Sequence, residues 1–197
     1  MELIVIAKPT VFKGETHLIN QLFGAGLQVF HLRKENADEA TYREIIEGIL
    51  PEYHPQVALH HFHSLVSDYN IQRIHHTESL RKNIDLKKMP EHSIFSTSIH
   101  QLSDVDKLSQ YDYCFFGPVF NSLSKPGYFG VIPSGFRLDK KVDRPKIIAL
   151  GGVALNQIEQ LKEMNFDGIA LLGAIWNDPS QALDTFKKAQ AKCQVYS

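Results

Sequence analysis

Tyr113-Cys114-Phe115-Phe116-Gly117-Pro118-Val119-Phe120-Asn121-Ser122-Leu123-Ser124-Lys125 is the stretch whose reading decides the fold. It opens as a continuous apolar run. That is the pattern of a strand buried on both faces, as in a parallel sheet covered by helices. It breaks at Gly117-Pro118 and becomes a hydroxyl-rich loop ending in a lysine. A buried strand running into polar, phosphate-friendly side chains marks where α/β proteins place their chemistry. The plain alternative is a core strand and an ordinary turn, since Gly-Pro is common punctuation.

Working outward, seven more short apolar runs read as strands: 3–7, 27–32, 57–59, 71–75, 93–98, 146–150 and 168–172. Helical patterns fall between them. Leu18, Ile19, Leu22 and Phe23 set a helix over 16–24, closed by Gly24 and Gly26. Asp38 caps a helix carrying Tyr42, Ile45, Ile46 and Ile49. Further helices are expected over 64–70, 103–108, 156–164 and 179–191, the last with Ala182, Leu183 and Phe186 on one face. The loop over 118–133 is the longest irregular stretch, and with Gly127 and Gly130 it reads as a candidate lid. Eight strands alternating with helices predict parallel βα units. The expected fold is a compact (β/α)₈ TIM barrel, one domain over residues 1–197, with a doubly wound open sheet as runner-up. Two features favour the barrel: polar residues recur at strand C-terminal ends, and no Gly-rich fingerprint follows the first strand.

Composition bounds the function. The chain has 197 residues, 43% of them apolar, and a formal net charge of −1. That is enough for a substantial core and excludes a disordered chain. No global field favours nucleic acid or an acidic membrane surface. The longest apolar runs are strand-sized, so no membrane span is expected. The start Met1-Glu2-Leu3-Ile4-Val5-Ile6 enters a strand at once, without a signal peptide's basic flank. Cys114 and Cys193 read as free thiols, which points to the cytoplasm.

Two glycine turns carry the main chemical signal. Gly151-Gly152 and Leu172-Gly173-Ala174 each lie where a strand hands over to a helix. Barrels often bind phosphate there, on backbone N–H groups that glycine lets an anion approach. Gly151, Gly152, Leu172 and Gly173 are therefore the expected phosphate binders. Arg33, Ser98, Ser122, Ser124 and Lys125 sit at or beyond strand ends and offer hydroxyls and positive charge to the same ligand. His100, just past the fifth strand, is the expected acid–base residue, because imidazole both takes and gives a proton near neutral pH. His60, His61, His63, His75 and His76 raise the question of a metal. His61 and His63 would share a side if the third strand ran on. Neither adjacent pair has the spacing of a helical zinc motif and no thiolate pair accompanies them, so no metal site is expected.

Several ordered motifs together carry a resemblance. They are Phe30-His31-Leu32-Arg33-Lys34-Glu35, Ser98-Ile99-His100, Phe116-Gly117-Pro118-Val119-Phe120 through Ser122-Leu123-Ser124-Lys125, Ala149-Leu150-Gly151-Gly152, and Gly168-Ile169-Ala170 into Gly173. Over nearly its whole length the chain resembles the thiamine phosphate synthase / thiazole tautomerase superfamily. The resemblance implies a (β/α)₈ barrel, a thiazole phosphate ligand and a place in thiamine biosynthesis. It further implies that His100 matches the family's acid–base histidine, one that many synthases also carry.

The departures separate the family's two activities. The synthase uses Mg²⁺, held by aspartates, against its pyrophosphate leaving group, and magnesium needs hard oxygen ligands. The resemblance sets His60-His61 at one aspartate position and Ser79-Leu80 near the other, with Glu78 beside it. A lysine of the family pattern is replaced by Glu35, which would repel a diphosphate. The expectation is therefore a thiazole-tautomerase-like isomerase with no cofactor. Two alternatives stand beside it: a working thiamine phosphate synthase with Mg²⁺ on relocated ligands such as Glu35 and Glu78, and a non-catalytic binder of thiazole or thiamine phosphates. The expected partner is a small-molecule thiazole phosphate, with neither nucleic acid nor membrane, and with a possible homo-oligomer.

Overall fold

A computed structural model describes residues 1–86, 92–121, 135–139 and 144–194. Eight parallel strands close into a barrel in sequence order. They are β1 (Glu2–Ile6), β2 (Val29–Leu32), β3 (Val57–Leu59), β4 (Arg73–His76), β5 (Ile94–Ile99), β6 (Tyr113–Phe116), β7 (Lys146–Ala149) and β8 (Gly168–Leu171). Each expected strand is present, displaced by at most two residues at either end. The open doubly wound sheet is excluded by the β1–β8 pairing, which runs from Glu2↔Gly168 to Val5↔Leu171. Gly168 leaves room for that closure, since a Cβ there would lie 2.6 Å from Ile148 and 2.9 Å from the Glu2 carbonyl.

The helices are α1 (Glu15–Gly24), α2 (Glu39–Gly48), α3 (Glu78–Arg81), α4 (Ile158–Glu163), α5 (Gly173–Trp176) and α6 (Ala182–Gln194). Helix α1 ends at left-handed Gly26 (φ 99°), where the Gly26 and Leu27 N–H groups return to the Phe23 and Leu22 carbonyls. Asp38 caps α2 by accepting from the Thr41 N–H at 2.9 Å, as its sequence predicts. Two expected helices are tighter 3₁₀ turns, His63–Val66 and Leu102–Lys107. Both segments are too short to reward the nucleation of an α-helix. The sequence reading missed α3, which Thr77 caps through the Leu80 N–H at 3.3 Å, and α5.

Strand alternation sorts the core into two clusters. Outward residues such as Val5, Phe30, Leu32, Leu59, Ile74, Phe116, Ile147 and Leu171 pack under the helices. Each contributes about 1.5–3 kcal/mol through burial. The inward apolar cluster is small: Ile4, Ile6, Tyr113, Phe115, Ile148 and Ala170. The rest of the interior is polar, because His31, His75 and Ser96 are buried on the β2, β4 and β5 segments. The Trp176 indole N–H donates to the Ile6 carbonyl at 2.6 Å and pins α5 to β1. No helix among the described residues is long and apolar enough to cross a membrane.

Candidate active site

The site lies at the C-terminal ends of the strands. After β6, the chain passes through a cis Gly117-Pro118 bond and runs beside the turn that follows β7. The Val119 N–H donates to the Leu150 carbonyl at 2.9 Å, and the Phe120 N–H to the Gly151 carbonyl at 3.0 Å. This zipped pair of loops explains its glycines. Gly151 (φ 92°) and Gly152 (φ 67°) are left-handed, and their added Cβ atoms would lie 2.7 Å from Pro118 Cα and 2.7 Å from the Phe120 and Asn121 carbonyls. Gly173 differs. Its backbone is not left-handed, and a Cβ there would make only ordinary contacts, the nearest 3.5 Å to Asn177. Packing of the chain therefore dictates glycine at 151 and 152 but not at 173. Neither the Gly152 nor the Gly173 N–H has a backbone partner among the described residues. Leu172 precedes α5 and packs against the inward apolar cluster.

His100 stands exposed one residue beyond β5. Its Nδ1 lies 2.7 Å from the Gly117 carbonyl oxygen. A carbonyl can only accept, so Nδ1 carries a hydrogen, and in the neutral ring Nε2 is the nitrogen with the lone pair. The imidazole is thus oriented by the same loop that enters the β7 turn. Ser98 lies two residues earlier on the inward face. Its hydroxyl is 3.1 Å from His75 Nε2, inside the barrel.

Arg33 follows β2, and its guanidinium pairs with Glu35 at 3.2 Å, both side chains being substantially exposed. Such a pair is worth little and yields easily to a competing anion. Lys34 points the other way. It is buried against the Glu15 carboxylate and also donates to the Lys8 carbonyl at 2.8 Å. Burial pushes the Lys34 ammonium down and the Glu15 carboxyl up, against the pull of each on the other. Lys34 is therefore a strut between β2 and α1. Ser122, Ser124 and Lys125, with the candidate lid beyond Asn121, lie outside the described residues.

The histidines separate in a way their spacing does not foretell. The third strand stops at Leu59, so His61 and His63 do not share a strand face. His61 is exposed, and His63 packs against His76 with ring centroids 5.3 Å apart. Inside the barrel, His31, His60 and His75 converge instead, each with a ligand nitrogen within 4.8 Å of the others. Burial pushes the His31 imidazole down to about 3 and holds His60 and His75 well below the usual value. Sequence spacing does not bring His31 together with His75, because only the barrel register sets β2 and β4 on either side of β3.

The residues do not fit the magnesium centre that the resemblance implies. His60 is buried against other imidazoles rather than offering a carboxylate, and the Ser79 hydroxyl is taken up by Thr77 at 3.1 Å. The two glutamates offered as substitutes sit in exposed ion pairs, Glu35 with Arg33 and Glu78 with Lys82, each at 3.2 Å.

The thiamine monophosphate synthase family model matches residues 3–175. Among curated proteins, the chain is 25% identical over 181 residues to the thiamine-phosphate synthase of Clostridium tetani, covering 88% of this chain and 87% of that one. Among solved structures, it is similar to a thiamine phosphate pyrophosphorylase from Bacteroides thetaiotaomicron, with a TM-score of 0.78, 23% identity and full coverage of both chains. A thiamine phosphate pyrophosphorylase from Pyrococcus furiosus gives a TM-score of 0.74 at 14% identity, covering 97% of this chain and 94% of that one. At such identities the structural likenesses speak for the fold, and the family model speaks for kinship. With its motifs in order on a closed eight-stranded barrel, this chain belongs to the thiamine monophosphate synthase family.

Proposed function

We propose that this chain is a thiazole-tautomerase-like isomerase of the family, moving a proton on a carboxylated thiazole phosphate. The observation that carries the reading is His100. The Gly117 carbonyl holds its Nδ1–H, so a basic Nε2 stands at the C-terminal end of the barrel without help from a metal. The same nitrogen takes the proton from one position of the substrate and, as imidazolium, returns it to another. Gly152 and Gly173 N–H groups would receive the phosphate. Room for a side chain at Gly173 supports this, because the fold does not itself demand glycine there. Arg33, released from Glu35, would meet the substrate carboxylate in bidentate fashion. Ser122 and Lys125 would orient the ligand. Ser98, held by His75, would act from below rather than at the reacting atoms.

A second reading, a thiamine phosphate synthase, is favoured by the names of the curated relatives. Against it stand imidazoles and a serine where magnesium would need carboxylates. An NMR assay with carboxythiazole phosphate and aminopyrimidine pyrophosphate, with and without magnesium, separates the two. Tautomer exchange without magnesium, and no thiamine phosphate, is the expected result. Magnesium-dependent formation of thiamine phosphate would replace the isomerase reading with the synthase.

A further inference from the structure

The interior of a small parallel barrel is ordinarily filled by branched apolar side chains. Here three imidazoles take that place. His31 Nδ1 lies 2.9 Å from His60 Nε2, and the His60 and His75 rings stack with centroids 4.0 Å apart. All three side chains are buried, exposed by 0%, 7% and 2% respectively. We propose that His31, His60 and His75 form a binding site for a borderline transition-metal ion, zinc foremost, inside the barrel.

Three observations carry this. The first is the ligand set. Three neutral imidazoles with an open fourth position are a donor set suited to zinc, and unsuited to magnesium or calcium, which want oxygen. The second is the spacing. Nitrogens on a tetrahedral zinc stand about 3.3 Å apart for bonds of 2.0–2.1 Å. The His31–His60 pair is 2.9 Å apart and opens slightly, while the ring nitrogens of the trio already lie within 4.8 Å.

The third observation is the surrounding shell. Metal-bound imidazoles hold their other ring nitrogen on a hydrogen-bond partner, which fixes the tautomer. His31 Nε2 has the Tyr113 hydroxyl at 2.7 Å, and His75 Nδ1 has the Ser96 hydroxyl at 2.9 Å. With those two nitrogens donating, His31 Nδ1 and His75 Nε2 carry the lone pairs; the one on His75 accepts from the Ser98 hydroxyl at 3.1 Å, a neutral contact the ion displaces. Without metal, one proton occupies the His31–His60 contact. When the ion replaces it, that proton moves to the far nitrogen of the same ring, so the neutral trio binds with no net proton release from its imidazoles.

An approach exists from the end of the barrel opposite His100. A cavity of about 540 Å³ opens there, lined by residues that include Glu2, Arg73, Tyr113 and Lys146. Tyr113 thus separates that cavity from His31 by one hydrogen bond. Arg73 and Arg33 both act on the trio electrostatically. Their charge favours an anion, such as hydroxide or chloride, as fourth ligand. This site is independent of the isomerase reading, which routes no step through it.

The test uses the full chain stripped with a chelator and titrated with zinc against a chromophoric competitor, and separately with cobalt(II). The expected result is one ion per chain, with the intense visible bands of tetrahedral cobalt. His31→Asn, His60→Asn and His75→Asn should each lower zinc affinity at least tenfold, while His17→Asn and His61→Asn, at exposed positions, leave it unchanged. Substoichiometric binding overturns the proposal, as does an equal loss in the His61 variant. Should a trio variant fail to fold, the wild-type cobalt spectrum decides. The weak, pale spectrum of octahedral coordination counts against the site.

Discussion

Acid sensitivity of the chelated, metal-free protein follows from its buried imidazoles. Burial lowers His31 to about 3 and His76 to about 4, with His60 and His75 shifted the same way. In the unfolded chain each titrates near 6.5. Below that pH the unfolded state binds protons that the folded state refuses, so stability present above about pH 6.5 is lost as pH falls. Each fully refused proton costs about 1.4 kcal/mol per pH unit. By about pH 5, His31 and His76 alone remove about 2 kcal/mol each, roughly 4 kcal/mol together. Ordinary carboxylates, with pKa values near 4, stay mostly ionised over this window and do not mask the effect. A total stability of about 5–15 kcal/mol makes such a loss plain. The assay is the urea midpoint at about pH 8, 6.5 and 5, with His76→Phe as a companion. His76 is the simpler probe, because its ring stacks on Phe95 at 5.7 Å and, among the described residues, makes a single hydrogen bond, at 3.2 Å to the Tyr111 hydroxyl. The phenylalanine variant should show a shallower pH dependence by about one histidine's share. An unchanged midpoint from pH 8 to 5, or an NMR titration of His31 near 6.5, would refute the reasoning.

Other outcomes are expected elsewhere in the molecule. His100→Asn should slow tautomer exchange by about 10²–10⁴-fold without altering the urea midpoint; full turnover would remove its role. Lys34→Met strands the Glu15 carboxylate in the core and should cost about 3–5 kcal/mol, whereas adding Glu15→Gln should restore much of it. Gly152→Ala places a Cβ 2.7 Å from two carbonyl oxygens at φ 67° and should cost about 1–3 kcal/mol. Gly173→Ala should be nearly neutral for stability yet raise KM for the thiazole phosphate; an unchanged KM would argue against a phosphate there. Burial pushes the Cys114 thiol up to about 12 and raises Cys193, so neither should react with a thiol reagent until the chain unfolds.

Much of this was legible in the chain. Runs such as Tyr113–Phe116 and Val57–Leu59 read as strands covered on both sides, and eight strands alternating with helices favour a barrel over an open doubly wound sheet, a choice that the β1–β8 pairing completes. The motif order also placed His100 and the glycine turns at one end of it. Local caps followed the same logic, with Asp38 reading directly as the start of α2. What the sequence alone could not show depended on register and on which of two neighbours wins a side chain. Adjacent residues of one strand point to opposite faces, so His75 joined the interior while His76 went beneath the helices. Lys34 and Arg33 are neighbours in sequence, yet one became a buried strut and the other remained at the rim. The two glycines after β7 looked like phosphate ligands, but their conformation is demanded by the loop packed against them. Sequence determined which segments would be strands, because burial pattern is a local property. Only the pairing of β2, β3 and β4 decided that His31, His60 and His75, from three different strand segments, would meet, because that contact depends on the register of neighbouring strands and not on any local pattern within one of them.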